Sequence, residues 1–461
     1  MEIIKYKRFI ERLNNINEPS THVKSLNDNT NENEGIIKNS NISFREIQKD
    51  KQLTSIIMEK RVFIIAAKRT PIGKFMGALA NFTPSDLGAM VIENILTKTG
   101  VKPEQIDEVI GGNILSAGQK QGVIRQASIK AGIPVEVPAY SINMVCGSGM
   151  KAVMNAFADI KVGDADLVFA GGTENMSNAG FILGGHVRSG HKMGNLQAID
   201  HMVNDGLTDA FKEYHMGITA ENIAEKYNIT REAQDEFAYN SQQKAIKAVD
   251  SGAFENEIVP ISIVTKKETI IFDKDEYPNR VSTPEKLALL KPAFKKEGTV
   301  TAGNASGVND GASFVLLASE EKMKELGLKP LAEIVAIGQG GVDPAVMGLG
   351  PVPAIRKALK NADMKLTDME LIELNEAFAA QSLGVIHELM EEYGVSQQWI
   401  DERTNINGGA IALGHPIGAS GNRILVTLVH ELIANHKKYG LASLCIGGGM
   451  GTAIVIKACE E

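Results

Sequence analysis

The chain has 461 residues, 43% of them hydrophobic and 23% charged, with a net charge of −8. That length gives two or three packed units of a globular protein, and the acidic balance excludes a basic nucleic-acid surface. Three widely spaced cysteines make no disulfide framework and fit a reducing, cytoplasmic setting, while no apolar run reaches the roughly 18 residues of a membrane span.

Residues 1–57 crowd asparagines (Asn14, Asn15, Asn17, Asn27, Asn29 and others) among mixed charges, with little apolar periodicity. Such a stretch cannot offset its ordering entropy. It reads as a disordered extension, with a regulatory tail or a true start at Met58 as the other readings. It lacks a secretory apolar core, and Glu2, Glu11 and Glu18 speak against an acid-poor mitochondrial leader. Organised sequence opens at Arg61-Val-Phe-Ile-Ile, a short apolar run that predicts a buried strand. Thr83-Pro84-Ser85-Asp86 then places a hydroxyl cap, a proline and an acid at a helix start, and Gly100 supplies a stop.

The chain next repeats itself. Ile-Asp-Glu-Val-Ile-Gly-Gly-Asn (106–113) is answered by Asp-Met-Glu-Leu-Ile-Glu-Leu-Asn (368–375). Asn113 and Asn375 are 262 positions apart, as are Gly122 and Gly384. The segment 141–149 is answered by 405–410 and 414–421, and Asp-Leu-Val-Phe-Ala-Gly-Gly (166–172) by Ala-Ser-Leu-Cys-Ile-Gly-Gly (442–448). Strands alternate with helices in each half, which predicts an α/β fold with a mostly parallel sheet. Residues 177–297 have no repeat partner and read as an inserted loop domain with a helix near 230–250; such insertions carry substrate-specific surface.

Two cysteines lie in glycine-rich turns, Cys146 in Asn-Met-Val-Cys-Gly-Ser-Gly and Cys445 in Cys-Ile-Gly-Gly-Gly. A thiol there is exposed to a bulky electrophile, and at a helix start the dipole favours its thiolate. With His415 of Gly-His-Pro, the set suggests chemistry in two sulfur-dependent steps. The spacing fits no compact zinc pattern, and the glycines fit neither a P-loop nor a dinucleotide fingerprint. Cys459 reads as a small buried hydrophobe. His186, His191 and His201 read as surface or loop residues.

From about Met58 to Cys459 the sequence resembles the thiolases, in particular the biosynthetic short-chain type. The matching runs include Arg-Thr-Pro-Ile-Gly (69–73), the Cys146 run, Gly-Gly-Thr-Glu-Asn-Met-Ser (171–177) and Thr-Ala-Gly-Asn-Ala-Ser-Gly (301–307). Asn-Glu-Ala-Phe (375–378), the Gly-His-Pro run (407–418) and Cys-Ile-Gly-Gly-Gly-Met-Gly (445–451) complete them. The resemblance implies a duplicated α-β-α-β-α layered fold. Residues 58–176 would be its N-terminal half, 177–297 the loop domain for coenzyme A and tetramerisation, and 298–461 the remainder with the C-terminal half. It implies condensation of two acetyl-CoA to acetoacetyl-CoA, and the reverse thiolysis, through an acyl-cysteine. Cys146 would be the nucleophile, His415 its proton acceptor and Cys445 the base for the second acetyl-CoA. Asn375 and His415 would form one oxyanion site, and the backbone amides of Cys146 and Gly447 the other.

The same resemblance places coenzyme A against Leu207, His215, Met216, Ala302, Ser306, Met347, Ala377 and Phe378. The family's nucleotide arginine falls at Asn279, so the neighbouring Arg280 is the candidate replacement. It implies acyl-CoA substrates, a homotetramer paired through 178–196, and no metal, cofactor, nucleic-acid or membrane partner. A ketosynthase-like condensing enzyme on the same fold is the alternative; it would use two histidines and a single cysteine, whereas Cys445 stands where a histidine is expected. A non-catalytic acyl-CoA binder is the third reading, and an intact set of Cys146, Asn375, His415 and Cys445 argues against it.

Overall fold

In the computed structural model the described residues are 60–459; the reading of 1–57 lies outside them. The strands are β1 (Val62–Arg69), β2 (Gly73–Lys74), β3 (Glu108–Gly112), β4 (Ala139–Ile142), β5 (Leu167–Asn175), β6 (Phe181–Leu183), β7 (Ala198–Asp200), β8 (Ile261–Val264) and β9 (Thr269–Phe272). They continue with β10 (Asn309–Ser319), β11 (Ala332–Gly341), β12 (Leu371–Leu374), β13 (Tyr439–Ile446) and β14 (Met450–Ala458). The principal helices are α1 (Pro84–Thr99), α2 (Val123–Lys130), α3 (Ser148–Val162), α4 (Met216–Tyr227), α5 (Arg231–Ser251), α6 (Pro351–Ala362), α7 (Ala379–Tyr393) and α8 (Ile417–Ala434).

Local chemistry sets the helix ends as the sequence suggests. Thr83 and Asp86 form a reciprocal capping box at α1, and Gly100 closes it in the left-handed conformation. Thr230 caps α5 through Ala233 N–H. No described helix is long and apolar enough to cross a membrane.

The duplication is visible ladder by ladder. β3 pairs in parallel with β5, as β12 does with β13. β5 pairs antiparallel with β10, as β13 does with β14. β10 pairs antiparallel with β1, as β14 does with β11. A short β1–β11 contact, Phe63 with Glu333 and Ile64 with Ala332, joins the two sets into one sheet.

The expected mostly parallel sheet is therefore corrected: of nine ladders in this sheet, six are antiparallel. Strands such as β5 and β10 are buried along their whole length, polar ends included, so their sequences show no alternation and carry no trace of direction.

Three cores define the layers. The inner faces of both strand sets close around α3 and α8 through Ile64, Val153, Val315, Leu428 and Ile454. Helices α1 and α2 cover the outer face of the first set, and α6 and α7 that of the second. The α-β-α-β-α order follows. Helix α8 is enclosed nearly all round, burying Ser420, Asn422, Arg423, Thr427 and Glu431 along with its apolar residues. The starts of the two central helices are where both halves bring their turns.

Candidate active site

Cys146 sits between β4 and α3 on a strained turn. Val145, a β-branched residue, holds φ +47°, a conformation such residues avoid. Local polar bonds over-determine it. Asn143 Oδ1 accepts Val145 N–H at 3.1 Å, and Ser148 Oγ accepts Met144 N–H and donates to Val145 O, both at 2.7 Å. The strain lifts a half-buried Cys146 at the foot of α3.

The second half supplies the opposite wall. Strand β13 ends at Cys445–Ile446 and turns through Gly447–Gly449 into β14. A Cβ on Gly147 would come 2.2 Å from the Ile446 side chain, so only glycine lets this turn close on the Cys146 turn. The backbone N–H groups of Gly447 and of Cys146 itself act on the Cys146 thiol to favour its anion. Cys445 is 1% exposed and packs in an apolar cluster with Met216, Met347, Ala377 and Phe378.

His415 precedes α8 and is fixed at both ends. Its N–H donates to Asn309 Oδ1 at 3.0 Å, while Asn309 Nδ2 donates to Gly73 O at 3.0 Å. Its Nδ1 lies 2.6 Å from Ser420 Oγ. Its Nε2 is buried without a partner, as are both amide atoms of Asn375. Asn375 follows β12, and its N–H donates to Ser443 O two residues before Cys445. Buried orphan groups are rare, and in a cleft they mark where a ligand or water completes the bonding.

The carboxylate of Glu174 stitches these parts together. Fully buried, it accepts N–H bonds from Ile114 at 3.0 Å, Leu115 at 3.1 Å and Gly418 at 3.0 Å, and from Asn113 Nδ2 at 3.0 Å. A Cβ on Gly172 would come 1.9 Å from Gly418 O, so the start of α8 rests directly on β5.

Electrostatics here correct one expectation. Burial pushes the Cys146 thiol up to about 11, against the pull of the two N–H groups. Cys445 rises further, through burial first and the neighbouring Cys146 second. Burial, then the Arg423 guanidinium, pulls the His415 imidazole down to about 4. Near neutral pH both sulfurs are thiols and the imidazole is neutral. Cys146 is half-buried and Cys445 buried rather than exposed, and the foot of α3 holds no resting thiolate because desolvation outweighs the helix dipole.

The residues expected around coenzyme A divide into groups. Leu207 packs against the same apolar cluster of Ile114, Leu115, Met176 and Ile417 as Val145 and Cys146. Met216, Met347, Ala377 and Phe378 line the Cys445 side. Ser306 N–H donates to Ala377 O at 2.9 Å, tying the 301–307 loop to them. His215 caps α4, its Nδ1 accepting Gly217 N–H at 3.0 Å, and stacks on Phe294 at 4.4 Å. Burial lowers its pKa, so the ring is neutral and its Nε2 carries the hydrogen.

Ala302 opens onto a separate cavity of about 680 Å³ that is also lined by Tyr277, Asn279, Arg280, Lys286 and Leu290. Arg280 reaches it while gripping Asp250 with two bonds of 2.9 and 2.7 Å. Asn279 N–H donates to Gln242 Oε1 at 2.8 Å.

Among the described residues, no group of three or more His, Cys, Asp or Glu gathers to hold a metal ion. His186 and His191 are exposed, and Cys459 is half-buried. His201 departs from its reading as a surface or loop residue: it is buried, bonded to Asp205 and accepting Ala117 N–H. Sequence reasoning gave no role to Ser148, Glu174, Asn309 or Ser420. Ser148, Glu174 and Ser420 fall inside quoted motifs, so their positions were available and only their partners were not.

Comparison with known proteins agrees with this architecture. The profile "Thiolase, N-terminal domain" matches residues 62–321, and "Thiolase, C-terminal domain" matches residues 328–458. An acetyl-CoA acetyltransferase of Syntrophomonas wolfei is 55% identical over 407 residues, covering 87% of this chain and all of that protein. One from Pseudomonas aeruginosa is 55% identical over 396 residues, covering 86% and 98%. The crystal structure of the Bacillus anthracis acetyl-CoA acetyltransferase superposes with a TM-score of 0.83 at 47% identity, covering 87% and 99% of the two chains. Human mitochondrial 3-ketoacyl-CoA thiolase gives 0.82 at 44% identity, covering 88% and 100%. The chain belongs to the thiolase family.

Proposed function

We propose that this thiolase is an acetyl-CoA C-acetyltransferase, joining two acetyl-CoA into acetoacetyl-CoA and CoA and running the reverse thiolysis. The observation that carries the reading is the close approach of the Cys445 turn of one half to the Cys146 turn of the other, where a Cβ on Gly147 would lie 2.2 Å from the Ile446 side chain, together with the buried, unpartnered His415 Nε2 and Asn375 amide. In the first half-reaction the Cys146 proton passes to His415 Nε2 as the sulfur attacks the thioester carbonyl. The CoA sulfur leaves with that proton, and acetyl-Cys146 remains.

In the second half-reaction Cys445 gives its proton to Nε2, and its thiolate takes a methyl proton from the next acetyl-CoA. The enolate oxygen is held by Nε2–H and by Asn375 acting through a water. The enolate carbon attacks acetyl-Cys146, whose oxyanion faces the N–H groups of Cys146 and Gly447. The carbon–sulfur bond breaks, and Cys146 retakes the proton from His415. Each such donor lowers the barrier by roughly 3 kcal/mol.

Leu207, Met216, Met347, Ala377 and Phe378 form the apolar wall for pantetheine, with Ser306 and His215 as its polar contacts. The nucleotide end occupies the cavity beyond Ala302, with Arg280 and Lys286 as its cations. Residues 177–297 then act as the insertion for substrate and subunit contacts. The exposed Phe181, Leu183, Met193 and Leu196 support pairing of dimers into a homotetramer. Working thiols suit a reducing cytoplasm, and the steps use sulfur, imidazole and amide groups without a cofactor.

Intact mass after incubation with acetyl-CoA tests the reading: one acetyl group on Cys146 is the expected result. Unlabelled protein at stoichiometric enzyme contradicts the acyl-enzyme step.

A further inference from the structure

We propose that Ser420 is the positioning residue that sets which nitrogen of His415 carries the proton at rest. The inference rests on the reading of His415 as proton acceptor. A buried serine in a helix commonly back-bonds the carbonyl four residues earlier and does nothing more. Ser420 makes that bond, donating to Pro416 O at 2.9 Å. Its oxygen also lies 2.6 Å from His415 Nδ1. A hydroxyl has one hydrogen. With that hydrogen on Pro416 O, the oxygen presents a lone pair to the ring, and Nδ1 must be the protonated nitrogen.

The consequence lies on the other side of the ring. Nε2 is left as a bare lone pair, buried and without a partner, able to take a thiol proton. When it does, the imidazolium keeps Nδ1–H on the Ser420 oxygen, so the same bond serves both charge states. Nothing else is bonded to Nδ1, and the charge that most perturbs the ring is the Arg423 guanidinium, which opposes protonation. The family of hydrolases built on Ser-His-Asp uses a carboxylate in this place. A hydroxyl fixes the tautomer equally well but adds no negative charge, which suits a histidine that must return its proton in every half-reaction.

Replacement of Ser420 by alanine leaves Nδ1 without an acceptor and the tautomer unset. In Ser420→Ala, kcat for thiolysis and the rate of Cys146 acetylation fall together by about tenfold to a hundredfold, with KM for the thioester within about twofold. Ser420→Thr keeps the hydroxyl and restores both rates to within about threefold of the parent. Ser420→Ala acetylating within about twofold of the parent overturns the proposal; so does a folded Ser420→Thr as slow as the alanine variant, since the loss is then one of packing. If the threonine variant does not fold, as judged by thermal unfolding, the alanine variant decides alone by the same limits. His415→Ala is measured beside them. If it acetylates Cys146 at the parental rate, the proton-acceptor reading fails and takes this proposal with it. If it is slow while Ser420→Ala is not, only the role of Ser420 falls.

Discussion

Twin positions in the two halves carry unlike duties. Asn113 directly follows β3 and Asn375 directly follows β12, at matching points of the repeat. Asn113 has its Nδ2 spent on structure, donating to Glu174 at 3.0 Å and to Thr173 O at 3.2 Å, and only its Oδ1 is left without a partner. Asn375 has both amide atoms buried and unpartnered. The central helices show the same division, for Cys146 stands at the foot of α3 and His415 at the foot of α8. In the proposed mechanism one copy of each feature holds the fold, or attacks, while its twin is left free for proton and oxyanion work. Duplication supplies matched scaffolds, and catalysis needs them to stop matching at a few side chains.

The comparison breaks most sharply at the proposed nucleophile. Cys146→Ala removes the only proposed acyl carrier, so thiolysis falls by roughly 10⁴ or more, as a steady-state assay with acetoacetyl-CoA and CoA reads. Turnover within a hundredfold of the parent would mean that the twin helices do not divide the work as described.

The asparagines give the next contrast. Asn375→Ala loses the donor proposed to act on developing charge, so kcat falls by about 10²–10³ with thermal stability little changed. Asn113→Ala leaves Glu174 short of a partner and costs about 1–3 kcal/mol of stability, seen as a lower Tm, with kcat within about tenfold. Equal effects of the two substitutions on kcat would erase the distinction.

The smallest effect concerns pH. Burial raises the Glu174 carboxyl from its ordinary 4.5 to about 7. The folded protein thus holds a proton there that the unfolded chain releases near 4.5. The stability due to this group is present below pH 4.5 and is lost as pH rises to about 7, by roughly 3 kcal/mol. Buried Glu373, raised to about 8, and Glu431 act in the same direction. The difference between parent and Glu174→Gln therefore isolates Glu174: the fall in Tm from pH 5 to pH 8 is smaller in the variant. An equal fall in both would place the titration elsewhere.

The repeat, the strand–helix alternation and the turns around Cys146, His415 and Cys445 were legible in the sequence because each is a local pattern of apolar runs and glycines. Strand direction was not, since β5 and β10 read alike whichever way they run. Thiol acidity was misjudged, because burial by Ile446 and by the Met216 cluster comes from residues far along the chain. The same distance hid Glu174, Asn309 and Ser420, whose partners lie up to 244 positions away or depend on which lone pair faces a ring. The reading of residues 1–57 lies outside the described structure.

The central claim is that Cys146 and Cys445, at the ends of unlike turns, share one pocket and perform successive steps. Cys445→Ala incubated with acetyl-CoA and followed by intact mass and product analysis tests it most directly. One acetyl group on Cys146 with no acetoacetyl-CoA formed is the predicted result. Acetoacetyl-CoA formed at the parental rate would contradict it.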